Sequence, residues 1–170
     1  LRGFIFSELN FGIAYSIGVT PFVFLSATTF KYFPMKNKSI EFCDKTLGAG
    51  QTAFIVAEVG FNHNGDVDLA KKMIQSASEN GADAVKLQTF IAQEMISKSL
   101  IADDPDNPGS EIPFFEFFQR YELSRSDYEV LFAYAKSLNI SLFSTPFDEA
   151  SLKMLVELGV PAIKIASPDL

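Results

Sequence analysis

Ala84-Val85-Lys86-Leu87-Gln88 is a short apolar run interrupted by one cation, and the rest of the chain is best read outward from it. Its length and composition predict a buried strand. Alternate residues of a strand share a face, so Ala84, Lys86 and Gln88 point one way while Val85 and Leu87 point the other. The same parity recurs in Ala162-Ile163-Lys164-Ile165-Ala166, where Lys164 opposes Ile163 and Ile165. The aliphatic sides suit contact with helices. Each lysine then points to the opposite side, near the C-terminal end of its strand. An isolated charge in a low-dielectric interior costs several kcal/mol, so two converging lysines need anions. Glu58, which ends the apolar run 53–58, is only one. Two readings follow: an internal lysine–carboxylate pair, or a pocket for an anionic substrate at the C-terminal ends of the strands.

The flanking segments predict strand–helix alternation. Ser39–Phe42 with a Gly48-Ala49-Gly50 turn suggests a short hairpin leading into the domain. Ala53–Glu58 reads as the first buried strand. After the polar run Asn62-His63-Asn64-Gly65, Asp66 can cap a helix from Val67 to about Asn80, ended by Gly81. Residues 89–113 read as a long polar loop, and Phe114–Tyr121 as a short helix whose aromatic crowding is packing. Ser124 caps a further helix carrying Tyr128, Leu131, Phe132, Ala135 and Leu138. Ile140–Ser144 is the third strand, Asp148 starts a helix that runs to Leu158, and Ala162–Ala166 is the fourth strand. Such alternation means parallel strands joined by right-handed crossovers. Four strands fit part of a (β/α)₈ barrel or of a doubly wound sheet, and spacing does not choose between them.

Composition narrows the partners. The 170 residues are 48% hydrophobic and carry a formal charge of −7, which predicts a globular domain with a core. An acidic chain without a basic run speaks against nucleic acid and anionic membranes. The single cysteine, Cys43, excludes an internal disulfide and a Cys-based zinc site. It reads as a partly buried structural thiol and suits the cytoplasm. Residues 1–34 differ from the remainder. The stretch 11–30 has the length of a membrane span, but Tyr15, Ser16, Thr20 and other polar residues dilute it. Met35-Lys36-Asn37-Lys38 resembles an ordinary soluble start. Residues 1–34 are therefore expected to be an extension outside the domain, and 35–170 the domain itself.

Four motifs carry a resemblance. Phe54-Ile55-Val56-Ala57-Glu58-Val59-Gly60-Phe61-Asn62-His63-Asn64-Gly65 is similar to the opening signature of the N-acetylneuraminate (sialic acid) synthase family. The stretches 81–90, 143–148 and 160–167 resemble its second, third and fourth strands, in order and spacing. The resemblance implies an α/β (β/α)₈ TIM barrel, here truncated to about its first four strands. It implies condensation of phosphoenolpyruvate with N-acetylmannosamine or another N-acetylated amino sugar, and a homodimer when full length. Carried over by position, Lys86, Thr145, Lys164 and Ser167 look like phosphoenolpyruvate ligands, Gln88 like a sugar-side contact and Glu58 like the acidic catalytic residue. A divalent metal, Mn²⁺ or Mg²⁺, is implied, with ligands outside this chain; His63 reads as structural. Pro168 departs from the family's Ser-Gly-Asp turn and puts the donor geometry around Ser167 in doubt, since proline has no N–H. The rivals are a pseudaminic or legionaminic acid synthase and a non-catalytic remnant. Residues 1–170 alone are expected to show no turnover.

Overall fold

The structure is a computed structural model that describes residues 39–169 except Asp106. The expectations for residues 1–34 and the soluble start at 35–38 lie outside the described residues. The first element is a hairpin of β1 (Ile40–Phe42) and β2 (Lys45–Leu47). Its turn is Cys43-Asp44, both in the left-handed region at φ 48° and 60°. That is the two-residue turn whose twist matches paired strands. The expected turn at Gly48–Gly50 lies beyond β2 instead, where Gln51 N–H donates to Gly48 C=O. Cys43 is half-buried, and burial raises its thiol pKa.

The sheet proper begins at β3 (Val56–Gly60), three residues later than the expected start at Ala53. Helix α1 (Val67–Glu79) starts at Asp66, whose side chain accepts from the backbone of Asp68 and Leu69. Gly81, at φ 79°, follows the helix, as a C-terminal glycine should. Next comes β4 (Ala84–Thr89).

The expected loop 89–113 has structure of its own. It contains the four-residue helix α2 (Ala92–Met95) and an antiparallel pair, β5 (Ile101–Asp103) with β6 (Glu111–Pro113). The polar tip between β5 and β6 is hairpin chemistry, and the strands are only three residues each, too short to show a period. Helix α3 (Phe114–Tyr121) follows, then α4 (Arg125–Ser137). Ser124 and Asp127 form a reciprocal capping box at the start of α4. The third parallel strand is β7 (Ser141–Pro146), followed by α5 (Glu149–Glu157).

The parallel strands run in the order β3-β4-β7. The expected fourth strand, 162–166, is reduced to one parallel bridge between Ile163 and Ser144, supported by Lys164 N–H donating to Ser144 C=O at 3.1 Å. It pairs on one side only among the described residues, so few ladder bonds hold it extended. Even so, its place is informative. It lies beside the third strand, whereas the common dinucleotide-binding order takes the fourth strand to the far side of the first. Each parallel segment thus neighbours its predecessor.

Strand parity sorts the two faces as expected. Val59, Val85, Leu87 and Leu142 join Ala70, Ile74, Ala77, Tyr128, Leu131 and Ala135 in one core under α1 and α4. Lys86 and its in-register neighbours Glu58 and Phe143 share the other parity, on the inner face. The hairpin closes the lower part of that face. Phe42 meets Phe143 edge-on at 5.8 Å and Phe54 at 5.1 Å. Asp83 ties this end together, accepting from Ile55 N–H at 2.6 Å and pairing with Lys45.

Candidate functional site

The site starts with an irregularity in β3. Glu58 pairs with Lys86 and Gly60 with Leu87, leaving Val59 as an extra residue. Bulges of this kind re-aim side chains and cluster near sites. Val59 turns into the helix-side core, while Glu58 and Gly60 lie over the inner face. Gly60 sits at φ 59°. A Cβ built there would lie 3.4 Å from Glu58 Oε1 and 3.7 Å from the Gln88 amide. Those are ordinary contact distances, so it is the positive φ of the turn, beside both side chains, that favours glycine.

Lys86 is the centre of this arrangement, only 8% exposed. Its ammonium donates to Thr145 Oγ1 at 3.2 Å and pairs with Glu58 Oε2 at 2.6 Å. Burial pulls the ammonium below the ordinary lysine range; Glu58 opposes this, and the charge of Lys164 adds to the downward pull. Thr145 is buried on β7, one rung above Phe143. Glu58 Oε1, by contrast, is buried and has no hydrogen-bond partner. Lys164 has no side-chain ion pair or hydrogen bond among the described residues. It lines an open cleft of about 370 Å³ with Pro146, Phe147, Ile163, Ile165 and Asp169. That cleft lies at the sheet edge and does not include Lys86.

Three of the six expected residues are thus brought into direct contact. Glu58, Lys86 and Thr145 are in contact, and Lys164 is felt through its charge. Gln88 stands beside Glu58 above Gly60, and its backbone carbonyl accepts from Tyr128 Oη at 3.0 Å. Ser167 is exposed and opens a 3₁₀ turn, Ser167–Asp169, that contains Pro168. No hydrogen bond joins it to Lys86 among the described residues.

His63 follows β3 and is 1% exposed. Nδ1 accepts from Gly65 N–H at 3.1 Å, which places the proton of the neutral ring on Nε2. Nε2 is buried without a partner. Desolvation pushes the imidazole pKa down to about 4, with Asp66 opposing. Among the described residues no group of three or more His, Cys, Asp and Glu could hold a metal ion.

Sequence reasoning missed how three residues or groups support the site. Gly60 gives a readable signal, a glycine directly after a strand-end carboxylate. Tyr128 was placed in the core, but its hydroxyl reach to Gln88 depends on the crossing of α4 over the sheet. The rings of α3 form the third. Phe118 packs against Phe61 at 5.9 Å and Phe90 at 5.4 Å, so the expected aromatic packing covers the segments leaving β3 and β4.

Parallel strands with helices packed on one face and a buried lysine, Lys86, on the other define an α/β protein. The chain belongs to the NeuB family, whose model matches residues 73–170. It is 41% identical over 128 residues to the N,N'-diacetyllegionaminic acid synthase of Legionella pneumophila, covering 74% of this chain and 36% of that one. Identity to the N-acetylneuraminate-9-phosphate synthase of Mus musculus is 33% over 132 residues, covering 76% and 37%. The structure is similar to that of the sialic acid synthetase of Leptospira borgpetersenii, with a TM-score of 0.66, 31% identity, and coverage of 78% of this chain and 42% of that one. The chain spans about a third of the length of the curated relatives it matches. Among the described residues no helix is long and apolar enough to cross a membrane.

Proposed function

We propose that residues 35–170 are the first strands of a (β/α)₈ barrel and carry the phosphoenolpyruvate seat of a nonulosonic acid synthase. One observation carries this reading. The Lys86 ammonium is buried on the inner face near the C-terminal ends of the strands, held by Glu58 and Thr145 and close enough to Lys164 to feel its charge. Barrel enzymes build their sites at that end. Lys86 and Lys164 would take the phosphate and carboxylate of phosphoenolpyruvate, with hydroxyl donors from Thr145 and Ser167. Gln88 would face the sugar.

The reaction forms a bond between C3 of phosphoenolpyruvate and the aldehyde carbon of the amino sugar. Water adds at C2, and the C2–O bond to phosphate then breaks. Glu58 is suited to accept the proton of that water, and the lysines to stabilise the departing phosphate. The divalent metal expected for the family has no ligand set among the described residues. Two amino sugars compete. The notably higher identity to legionaminic than to N-acetylneuraminate-type relatives favours a diacetylated sugar over N-acetylmannosamine.

The test is calorimetric titration of the chain and of Lys164→Met with phosphoenolpyruvate and with each sugar. Phosphoenolpyruvate should bind, and Lys164→Met should weaken it by about tenfold or more, ~1.4 kcal/mol, while sugar binding changes less. Equal loss for both ligands, or none for phosphoenolpyruvate, sinks the assignment.

A further inference from the structure

An ammonium has three N–H bonds. On Lys86 one serves Thr145 Oγ1, another faces Glu58 Oε2 and the third is left over, so it is the positive charge and not the last donor that is already engaged. An anion approaching the two lysines therefore meets one cation that is open and one that is already neutralised. Lys164 is the open one. Bringing a second anion to Lys86 while Glu58 remains would place two like charges on one ammonium in a part-desolvated site, where repulsion is poorly screened.

Glu58 is also loosely held. One carboxylate oxygen has the lysine, but the other is buried without a partner. A buried acceptor left unsatisfied subtracts from what the ion pair contributes. The side chain is 35% exposed, so a path to water exists without unfolding the strand. Lys86, at 10%, has no such freedom. When the pair opens, the carboxylate is the partner that moves.

We infer that Glu58 is a built-in competitor for the anion seat: it holds the ligand's place on Lys86 and must leave it when a ligand with two anionic groups binds. This rests on the phosphoenolpyruvate reading above and adds a specificity device to it. A monoanion can settle on Lys164 alone and leaves the pair closed. A ligand carrying phosphate and carboxylate engages both lysines and displaces Glu58. The displaced carboxylate then stands beside the bound ligand, free of its lysine.

The experiment measures binding of phosphoenolpyruvate and of pyruvate, the monoanion, to the chain and to Glu58→Gln, with the fold of each checked by its NMR fingerprint. Glu58→Gln should bind phosphoenolpyruvate about tenfold tighter, ~1.4 kcal/mol, with a smaller gain for pyruvate. A second measurement needs no variant: in the unsubstituted chain, the Lys86–Glu58 contact should open beyond salt-bridge distance with phosphoenolpyruvate bound and stay closed with pyruvate, read by NMR of the two side chains or by crystallography. Unchanged or weaker phosphoenolpyruvate binding by a folded Glu58→Gln chain, or a contact that persists in the complex, overturns the inference and leaves the seat standing. No phosphoenolpyruvate binding to either chain overturns the seat and the inference with it.

Discussion

The inner face of the parallel sheet has a lower half that is closed and an upper half that is not. Below, Phe42, Phe54 and Phe143 pack edge to face, and Asp83 gathers the Ile55 amide and the Lys45 ammonium. Above, Glu58 Oε1 and His63 Nε2 are buried without partners, and the Lys164 side chain has none among the described residues. The two halves adjoin. Lys86 and Phe143 are in-register neighbours, so the aromatic floor lies on the strand position beside the lysine. Folded proteins satisfy most buried polar groups. Where they do not, the missing partner is a water, an ion or a ligand, and the exceptions here gather at one end of the sheet.

Acid should break this contrast hardest. His63 has its ordinary pKa of 6.5 when unfolded and about 4 when folded. Between those values the unfolded chain binds the extra proton, so stability is full above pH 6.5 and falls as the pH drops towards 4. The loss is on the order of 3 kcal/mol. Urea unfolding at pH 7 and pH 4.5 would measure it, and a folded His63→Gln chain should lose that part of the slope. An equal slope in both chains would remove the imidazole from the account.

The floor should give the next largest effect. Phe42 is half-buried, so Phe42→Ala should cost about 2–3 kcal/mol, somewhat less than a fully buried phenylalanine. It should also let water reach Lys86, whose pKa should rise towards the ordinary lysine value. A stability loss without that rise, read by side-chain NMR, would show that the two halves of the face are independent.

How far the sequence could be read follows the same division. The parity of Lys86 against Val85 and Leu87 was legible because a strand has one period and the aliphatics needed a core. The caps at Asp66 and Ser124 were legible because short polar side chains before apolar periodic runs do one local job. The hairpin turn was not, since Cys43 and Asp44 lack the glycine that usually marks a left-handed pair, while Gly48–Gly50 drew attention nearby. The 162–166 strand was overread. Its composition suits burial on both sides, but only a single bridge to Ser144 forms. The unpartnered oxygen of Glu58 could not be foreseen, because it depends on the bulge at Val59 and the turn at Gly60.

Lys164→Met sharpens the contrast from the open side. With no partner among the described residues, its ammonium should contribute little to folding, within about 0.5 kcal/mol. Its loss should instead appear in phosphoenolpyruvate affinity and in Lys86, whose pKa should rise once the neighbouring positive charge is gone. A large stability loss would mean that Lys164 has a structural role and would move the boundary between the two halves.

Thr145→Val should have the smallest effect and divides the site most finely. The threonine hydroxyl accepts from Lys86 at 3.2 Å and is buried, so valine keeps the shape and removes one acceptor. If the upper half is mainly structural, the Lys86–Thr145 bond belongs to the fold, and stability should fall by about 1 kcal/mol or more. If it is a ligand seat, Glu58 remains on Lys86 in the empty chain and the stability loss stays below that. The hydroxyl then matters chiefly as a donor to the incoming oxygen anion, and phosphoenolpyruvate binding should weaken about threefold to tenfold. Unfolding and calorimetry on the same preparation separate the two outcomes. A full stability loss with unchanged affinity would return Lys86, Glu58 and Thr145 to the interior of the fold and leave Lys164 alone at the mouth.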